Sequence, residues 1–151
     1  MKKWILLFVA MCIVVLSGCS EKTYKPRDIV SETDVCKVCN MSIVHEDYAG
    51  QIALENGDYE TFDDIGCLMD YIETNGDGKV GAAFIKDAQS SKWIDVYEAT
   101  YVYDKDFWTP MNYGVLAFQT ADAANEWMKK ESKGKLLTNE DLKDFKWGIH
   151  H

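Results

Sequence analysis

Apolar residues recur along this chain with two rhythms, a strand-like alternation and a helical stripe, after one uninterrupted apolar run at the start. That run, Trp4 to Leu16, follows Lys2 and Lys3 and ends in the small residues Ser17 and Gly18. It is too short to span a bilayer comfortably as a helix. Its charged start, apolar middle and small-residue end are the layout of a cleaved leader, so residues 1–18 are expected to be a signal peptide. Ser20 to Asp34 is polar, contains Pro26 and shows no apolar period, which predicts a tether.

The folded part is expected over 35–151. Tyr48 to Leu54 reads as a strand, Asn56-Gly57 as a hairpin turn, and Asp58 to Phe62 as the returning strand. Asp63-Asp64 then opens a helix, with acids in the first turn where the dipole favours them. Ile65, Leu68, Met69 and Ile72 fall at i, i+3, i+4 and i+7, one stripe facing a core. Asn75-Gly76-Asp77-Gly78 ends that helix. Val80 to Ile85 and Trp93 to Tyr103 are rich in β-branched and aromatic residues and predict strands.

The later half repeats the plan. Gly114 to Phe118 is an apolar strand, and Thr120 caps a helix whose Ala121, Ala124, Trp127 and Met128 face inward. Gly134 ends it, Lys135 to Leu137 is a short strand, and Thr138-Asn139-Glu140-Asp141 forms a capping box before a last short helix. The pattern predicts an α+β fold with mostly antiparallel sheet, built as a pseudo-repeat of two ββαβ units over about 43–90 and 91–145.

Charge narrows the possible partners. The whole chain carries a formal net charge of −9, and Lys2 and Lys3 would leave with the leader, making the remainder more acidic still. That argues against nucleic acid and against an electrostatic grip on anionic lipid. It suits attraction of cations or docking on a basic patch.

Cysteine usage changes the picture further. Cys19 directly follows Leu16-Ser17-Gly18, the pattern of a lipoprotein cleavage and acylation site. The mature chain is therefore expected to begin at an acylated Cys19 and to sit outside the cytoplasm, anchored to a bacterial membrane by its lipid. Of the five cysteines, Cys12 leaves with the leader. Cys36, Cys39 and Cys67 remain, an odd number, so at least one is free, metal-bound or reactive.

Cys36-Lys37-Val38-Cys39-Asn40-Met41 places three sulfur donors within six residues. Thiolate and thioether sulfurs select soft metals, above all Cu(I). Two other chemistries are open to a CxxC pair. Cys36, Cys39, Cys67 and His45 could hold a structural zinc ion, or Cys36 and Cys39 could work as a thiol-disulfide oxidoreductase. Met111 is a further soft donor in the loop Trp108-Thr109-Pro110-Met111-Asn112-Tyr113-Gly114, although a Met among aromatics also serves as a core filler. Cys67 lies on a helical wheel opposite the apolar stripe, so it either approaches the metal loop or is packed by the second half. Glu73 to Gly78 mimics the start of a calcium loop, but the twelfth position is Phe84 where a bidentate Glu is needed. No Ser-His-Asp or paired-carboxylate set stands out, so an enzyme is not expected. The tail residues His150 and His151 are set aside from the site.

Taken together, the Cys-x-x-Cys-x-Met motif after a lipoprotein anchor, Gln51-Ile52-Ala53-Leu54, Thr61-Phe62-Asp63-Asp64, Pro110-Met111 leading into Gly114-Val115-Leu116-Ala117-Phe118, and Thr120-Ala121-Asp122-Ala123-Ala124 resemble the NosL family. Its members are copper-binding lipoproteins that serve nitrous oxide reductase. The resemblance spans about Cys36 to Lys135 and implies two similar ββαβ units. It implies Cu(I) held by Cys39 and Met111, with Met41 and Cys36 at matching motif positions. It also implies a copper-accepting cuproenzyme, or its assembly complex, as partner. Asn40 and Asn112 stand where the family pattern often has Gly, and Asn tolerates left-handed backbone better than most residues.

Overall fold

The computed structural model describes residues 22–147. The leader, Cys19 and the two tail histidines lie outside the described residues. Strand β1 (Gly50–Leu54) turns through Asn56-Gly57 into β2 (Tyr59–Phe62). Gly57 takes a φ of 94° and Asn56 Oδ1 accepts the Asp58 N–H, so the Asn-Gly pair makes the hairpin it predicts. Helix α1 (Ile65–Asn75) follows and stops at Gly76. The acids expected in its first turn stand just before it: Asp64 is the N-cap, accepting the Cys67 N–H, and Asp63 precedes it. A direct hydrogen bond at the cap satisfies an orphan donor, which a charge placed one turn later would not.

Strand β3 (Val80–Lys86) pairs antiparallel with β1, and β4 (Trp93–Asp95) with β3, giving a sheet in the order β2-β1-β3-β4. The stretch Trp93 to Tyr103, expected as one strand, is broken. Asp95 accepts the Tyr97 N–H through its side chain and the Ala99 N–H through its carbonyl, and this turn carries the chain across to β5 (Thr100–Tyr103). Strand β6 (Val115–Phe118), helix α2 (Ala121–Glu131), β7 (Lys135–Leu137) and α3 (Asn139–Lys143) complete the second half, whose sheet runs β6-β5-β7. Each half is a ββαβ unit with its first strand in the middle. The exception is β4, which belongs to the first sheet although it lies in the 91–145 segment assigned to the second unit. Thr138 and Asp141 form the expected capping box at α3.

Alternation along the second sheet explains the layering. Tyr101, Val115 and Ala117 join the main core with Phe62, Ile65, Leu68 and Ile85, while Val102, Leu116 and Phe118 form a second cluster with Ala124. The second sheet is thus buried on both faces, toward α1 on one side and α2 on the other, which is why β6 carries no polar residue. On α2, Ala124 is buried and Trp127 and Met128 are half-buried as expected. Ala121, in the first turn, is exposed, and Ala123 takes the fourth inward position. No helix among the described residues is long and apolar enough to cross a membrane.

Residues 22–34, within the stretch expected as a tether, lie against the first sheet. Gln51 is fully buried, and its side-chain amide accepts the Arg27 N–H at 2.9 Å and donates to the Arg27 carbonyl at 2.7 Å. Ile29 is buried beside Ile43 and Ala49, and Arg27 forks onto Asp34 with two hydrogen bonds of 2.7 and 2.8 Å. A polar segment packs here because one buried strand residue offers it a pair of backbone-like hydrogen bonds.

The two sheets are joined at Asp87, just past β3. Its buried carboxylate accepts from the Gln89 and Ser90 N–H groups, the Ser90 hydroxyl and, at 2.7 Å, the Gln119 N–H at the end of β6. The neighbouring Ala88 N–H donates to the Ala117 carbonyl. Burial opposes the charge on Asp87, but these donors outweigh it and hold its pKa below the ordinary 3.8. A depressed acid contributes stability above its unfolded pKa and loses it as pH falls through the folded one. Asp87→Ala should cost about 1–3 kcal/mol near neutrality. The wild type should lose that margin below about pH 4, a loss absent from the variant. Denaturant melts across pH would check this, and equal acid sensitivity of the two proteins would refute it.

Candidate metal centre

The CxxC segment is a tight loop pinned at both ends. Val35 and Ser42 form a β-bridge, the Cys36 N–H donates to the Met41 carbonyl at 2.8 Å, and the Asn40 N–H to the Cys36 carbonyl at 2.9 Å. The loop closes because Asn40 takes the left-handed conformation, φ 60°. It is tied to the end of β2, where the Lys37 N–H donates to the Thr61 carbonyl and the Thr61 hydroxyl to the Val35 carbonyl. That attachment sets the loop against Asp63 and the first turn of α1.

Four donor atoms converge there. The sulfurs of Cys36, Cys39 and Cys67 and a carboxylate oxygen of Asp63 all lie within 4.8 Å of one another. Cys36 and Cys67 are buried and Cys39 half-buried, and none is in a disulfide. The Cys39 thiol donates to Asp63 Oδ2 at 3.4 Å, while Asp63 Oδ1 is buried with no hydrogen-bond partner. The three sulfurs differ in their hold on a proton. The Cys67 thiol donates to Cys36 and, with backbone N–H groups of Cys39, Asp63 and Val38, holds Cys36 down to about 7 despite its burial. Cys39 is pushed up to about 12, first by burial and then by its neighbour Cys36. Cys67 is raised because it donates to Cys36, and burial adds to this.

Met111 reaches this corner from the other half of the molecule. It sits in a turn closed by the Asn112 N–H on the Thr109 carbonyl, with Asn112 at φ 60°. The buried Thr109 hydroxyl oxygen accepts the Tyr113 and Gly114 N–H groups at 3.0 and 3.3 Å. Asp64 then joins this turn to α1. One of its carboxylate oxygens accepts the Cys67 N–H at 3.1 Å and the other the Met111 N–H at 3.0 Å. Burial pushes Asp64 up to about 6, against the pull of those two donors. The ring of Tyr113 lies directly over Gly66, where a Cβ would come within 2.0 Å of it. Only a glycine at that helix position lets the Met111 loop sit down beside Cys67.

Of the expected donors, Cys36, Cys39 and Cys67 come together. Met111 packs against the same core cluster as Cys39. Met41 contributes its carbonyl to the loop, but its side chain is 47% exposed. His45, the fourth donor of the expected zinc set, is exposed and stands edge-on to Trp108, 4.8 Å between ring centroids. It is absent from the cluster, and Asp63 takes that place. The helical wheel puts Cys67 on the side of Asp63, opposite the apolar stripe, and the structure brings their donor atoms together.

The sequence model of the NosL family matches residues 28–146, most of the chain, and the chain therefore belongs to that family. Among solved structures, it is similar to the crystal structure of the copper chaperone NosL from Shewanella denitrificans, with a TM-score of 0.69 and 17% identity over 80% of this chain and 96% of that one. At that identity the likeness speaks to the fold. No curated protein matches the chain.

Asp64→Asn separates the two duties of the bridging carboxylate. Asn caps a helix about as well as Asp, but one of its two terminal atoms is a donor and cannot accept the Met111 N–H. The substitution should cost about 1–3 kcal/mol and speed hydrogen exchange at Met111 while leaving α1 intact. Because the folded pKa is raised, wild-type stability should fall as pH rises from about 4 through about 6, and the variant should lack that slope. Unchanged exchange at Met111 would rule out the tie.

Proposed function

We propose that this chain is a membrane-anchored Cu(I) carrier that delivers its ion to a cuproenzyme, with nitrous oxide reductase as the client. The observation that carries the reading is the convergence of three thiol sulfurs at a corner to which Met111 is tied by Asp64. Soft sulfur donors favour Cu(I) over hard cations. Family membership and the name of the similar solved structure, a copper chaperone, support the same cargo. Cys39 and Met111 are the primary ligands in this reading, with Cys36 and Cys67 behind them. The exposed Met41 is the outer sulfur through which an acceptor's ligands enter as the donors leave. A lipid on Cys19 would confine delivery to a bacterial membrane surface outside the cytoplasm.

One feature favours a second reading. A CxxC pair with a lowered first thiol and a raised second one is the asymmetry of disulfide exchange. Cys36, however, has 0% exposure, so the sulfur with the lowered affinity for its proton cannot meet a protein disulfide.

Anaerobic Cu(I) titration against a chromophoric chelator tests the copper reading on the reduced protein, beside Cys39→Ala and Met111→Ala. Each substitution should weaken the binding of about one Cu(I) per chain by about tenfold or more, the scale on which a lost metal-site contact is felt. Binding indifferent to both substitutions would overturn the assignment.

A further inference from the structure

Residues 22–34 cross the first sheet in one direction, on the face that strand alternation turns away from the main core. Lys22 Nζ donates to the Glu55 carbonyl at 3.1 Å, at the hairpin end of the sheet. The Tyr24 ring lies over Gly81, where a Cβ would come within 2.4 Å of it, and the Tyr59 hydroxyl donates to the Lys25 carbonyl at 2.8 Å. Arg27 then meets Gln51, and Ile29 packs beside Ala49 at the far end of β1. The two ends of the sheet differ in character. The hairpin end is exposed and polar, with Glu55, Asn56 and Asp58 beside the 75–78 turn. At the other end, past Gly50 and Phe62, stand Asp63 and the cysteine loop. The exposed apolar side chains of Met41, Val44 and Trp108 belong to that end, Trp108 standing edge-on to His45 and Tyr48 just before β1.

We propose that residues 22–34 are a strap that fixes which way the anchored domain faces, with the β1–β2 hairpin toward the lipid surface and the cysteine loop turned away from it. This orientation rests on the acylation of Cys19 in the proposed function. Three residues lead from Cys19 to Lys22, and a chain reaches at most about 3.6 Å per residue, so the lipid attaches within about 11 Å of the hairpin end. The five residues of β1 carry the cysteine loop about 14 Å farther out, at about 3.4 Å per residue. A free tether of the same length would let the domain turn any face to the bilayer. Charge does not set the direction, because Glu55, Asp58 and Asp77 offset Lys22, Lys25 and Lys79 at the hairpin end. The partner this orientation fits is a protein that approaches from the aqueous side and covers Met41, Val44 and Trp108. An acceptor opening flush with the same bilayer would meet the polar hairpin instead.

The full acylated chain in lipid nanodiscs tests this, with a gadolinium-chelate lipid as the probe and backbone amide NMR signals as the readout. The signals of Gly57 and Gly78 should be lost to paramagnetic broadening, while those of Asn40 and Asn112 persist. Gln51→Ala, which removes the pair of hydrogen bonds to Arg27, should make the two sets alike. If that variant fails to fold, about ten Gly and Ser residues inserted between Glu21 and Lys22 leave every strap contact in place. They lengthen the leash by about 17 Å and should restore the Gly57 and Gly78 signals. Equal loss at both ends of the wild type, greater loss at Asn40 and Asn112, or a contrast that survives Gln51→Ala would overturn the strap. An acylated protein giving any of those results would leave the anchored carrier standing. Membrane-extracted protein whose mass shows no acyl group on Cys19 would remove the anchor and the orientation together.

Discussion

The carboxylate of Asp64 is the constraint on which the rest of this corner depends. It is 2% exposed, and burial costs it enough to raise its pKa to about 6. What it receives in return are two backbone N–H groups from opposite halves of the molecule, Cys67 on α1 and Met111 in the loop before β6. A hydroxyl cap at this position would satisfy the helix but could not also reach the second half. The helix start, the thiol on it and the methionine loop are therefore held in one frame by a single side chain. Gly66 is the complement of that bond, since any larger residue there would lift the Tyr113 ring and the loop with it.

The two ββαβ units explain why the corner lies between halves. Helix α1 packs on β1 and β2 of its own sheet and on β6 of the other, and is thus shared by both cores. Its N-terminus consequently opens where loops from both units meet. Asp87 makes a second tie across this joint, linking the end of β3 to the end of β6. The segment 22–34 adds a third restraint, clamped on Gln51 and on Asp34 just ahead of the cysteine loop. The cysteine loop is thereby preceded by fixed backbone.

Local features of this architecture were legible in the sequence, and long-range ones were not. Asn56-Gly57, the Thr138 capping box and the α1 stripe are each decided by neighbours a few residues apart, and each formed as read. Asn40 and Asn112 both occupy the left-handed region expected of residues standing in for glycine. The break at Asp95 is masked by the β-branched and aromatic residues that surround Asp95, Glu98 and Ala99, and it falls where the chain passes from one sheet to the other. Docking of residues 22–34 depends on Gln51, a polar residue inside an apolar strand that gave no sign of its partner. Asp63 was legible as an acid before a helix; its place among the sulfurs depends on a loop tied to β2.

The distribution of protons and exposure over the three sulfurs separates metal binding from thiol exchange. In exchange, the sulfur that most readily loses its proton must also be the one a substrate reaches. Here those properties sit on different atoms. Cys36 holds its proton most weakly but is fully enclosed, while the half-exposed Cys39 keeps its proton up to about 12. A protein disulfide would meet a protonated thiol in front and could not reach the reactive sulfur behind it. A metal ion is small enough to pass Cys39 and bring its own charge, which replaces the protons and lets neighbouring sulfurs ionise together. The same three atoms that make a poor redox pair therefore make a coherent set of metal donors.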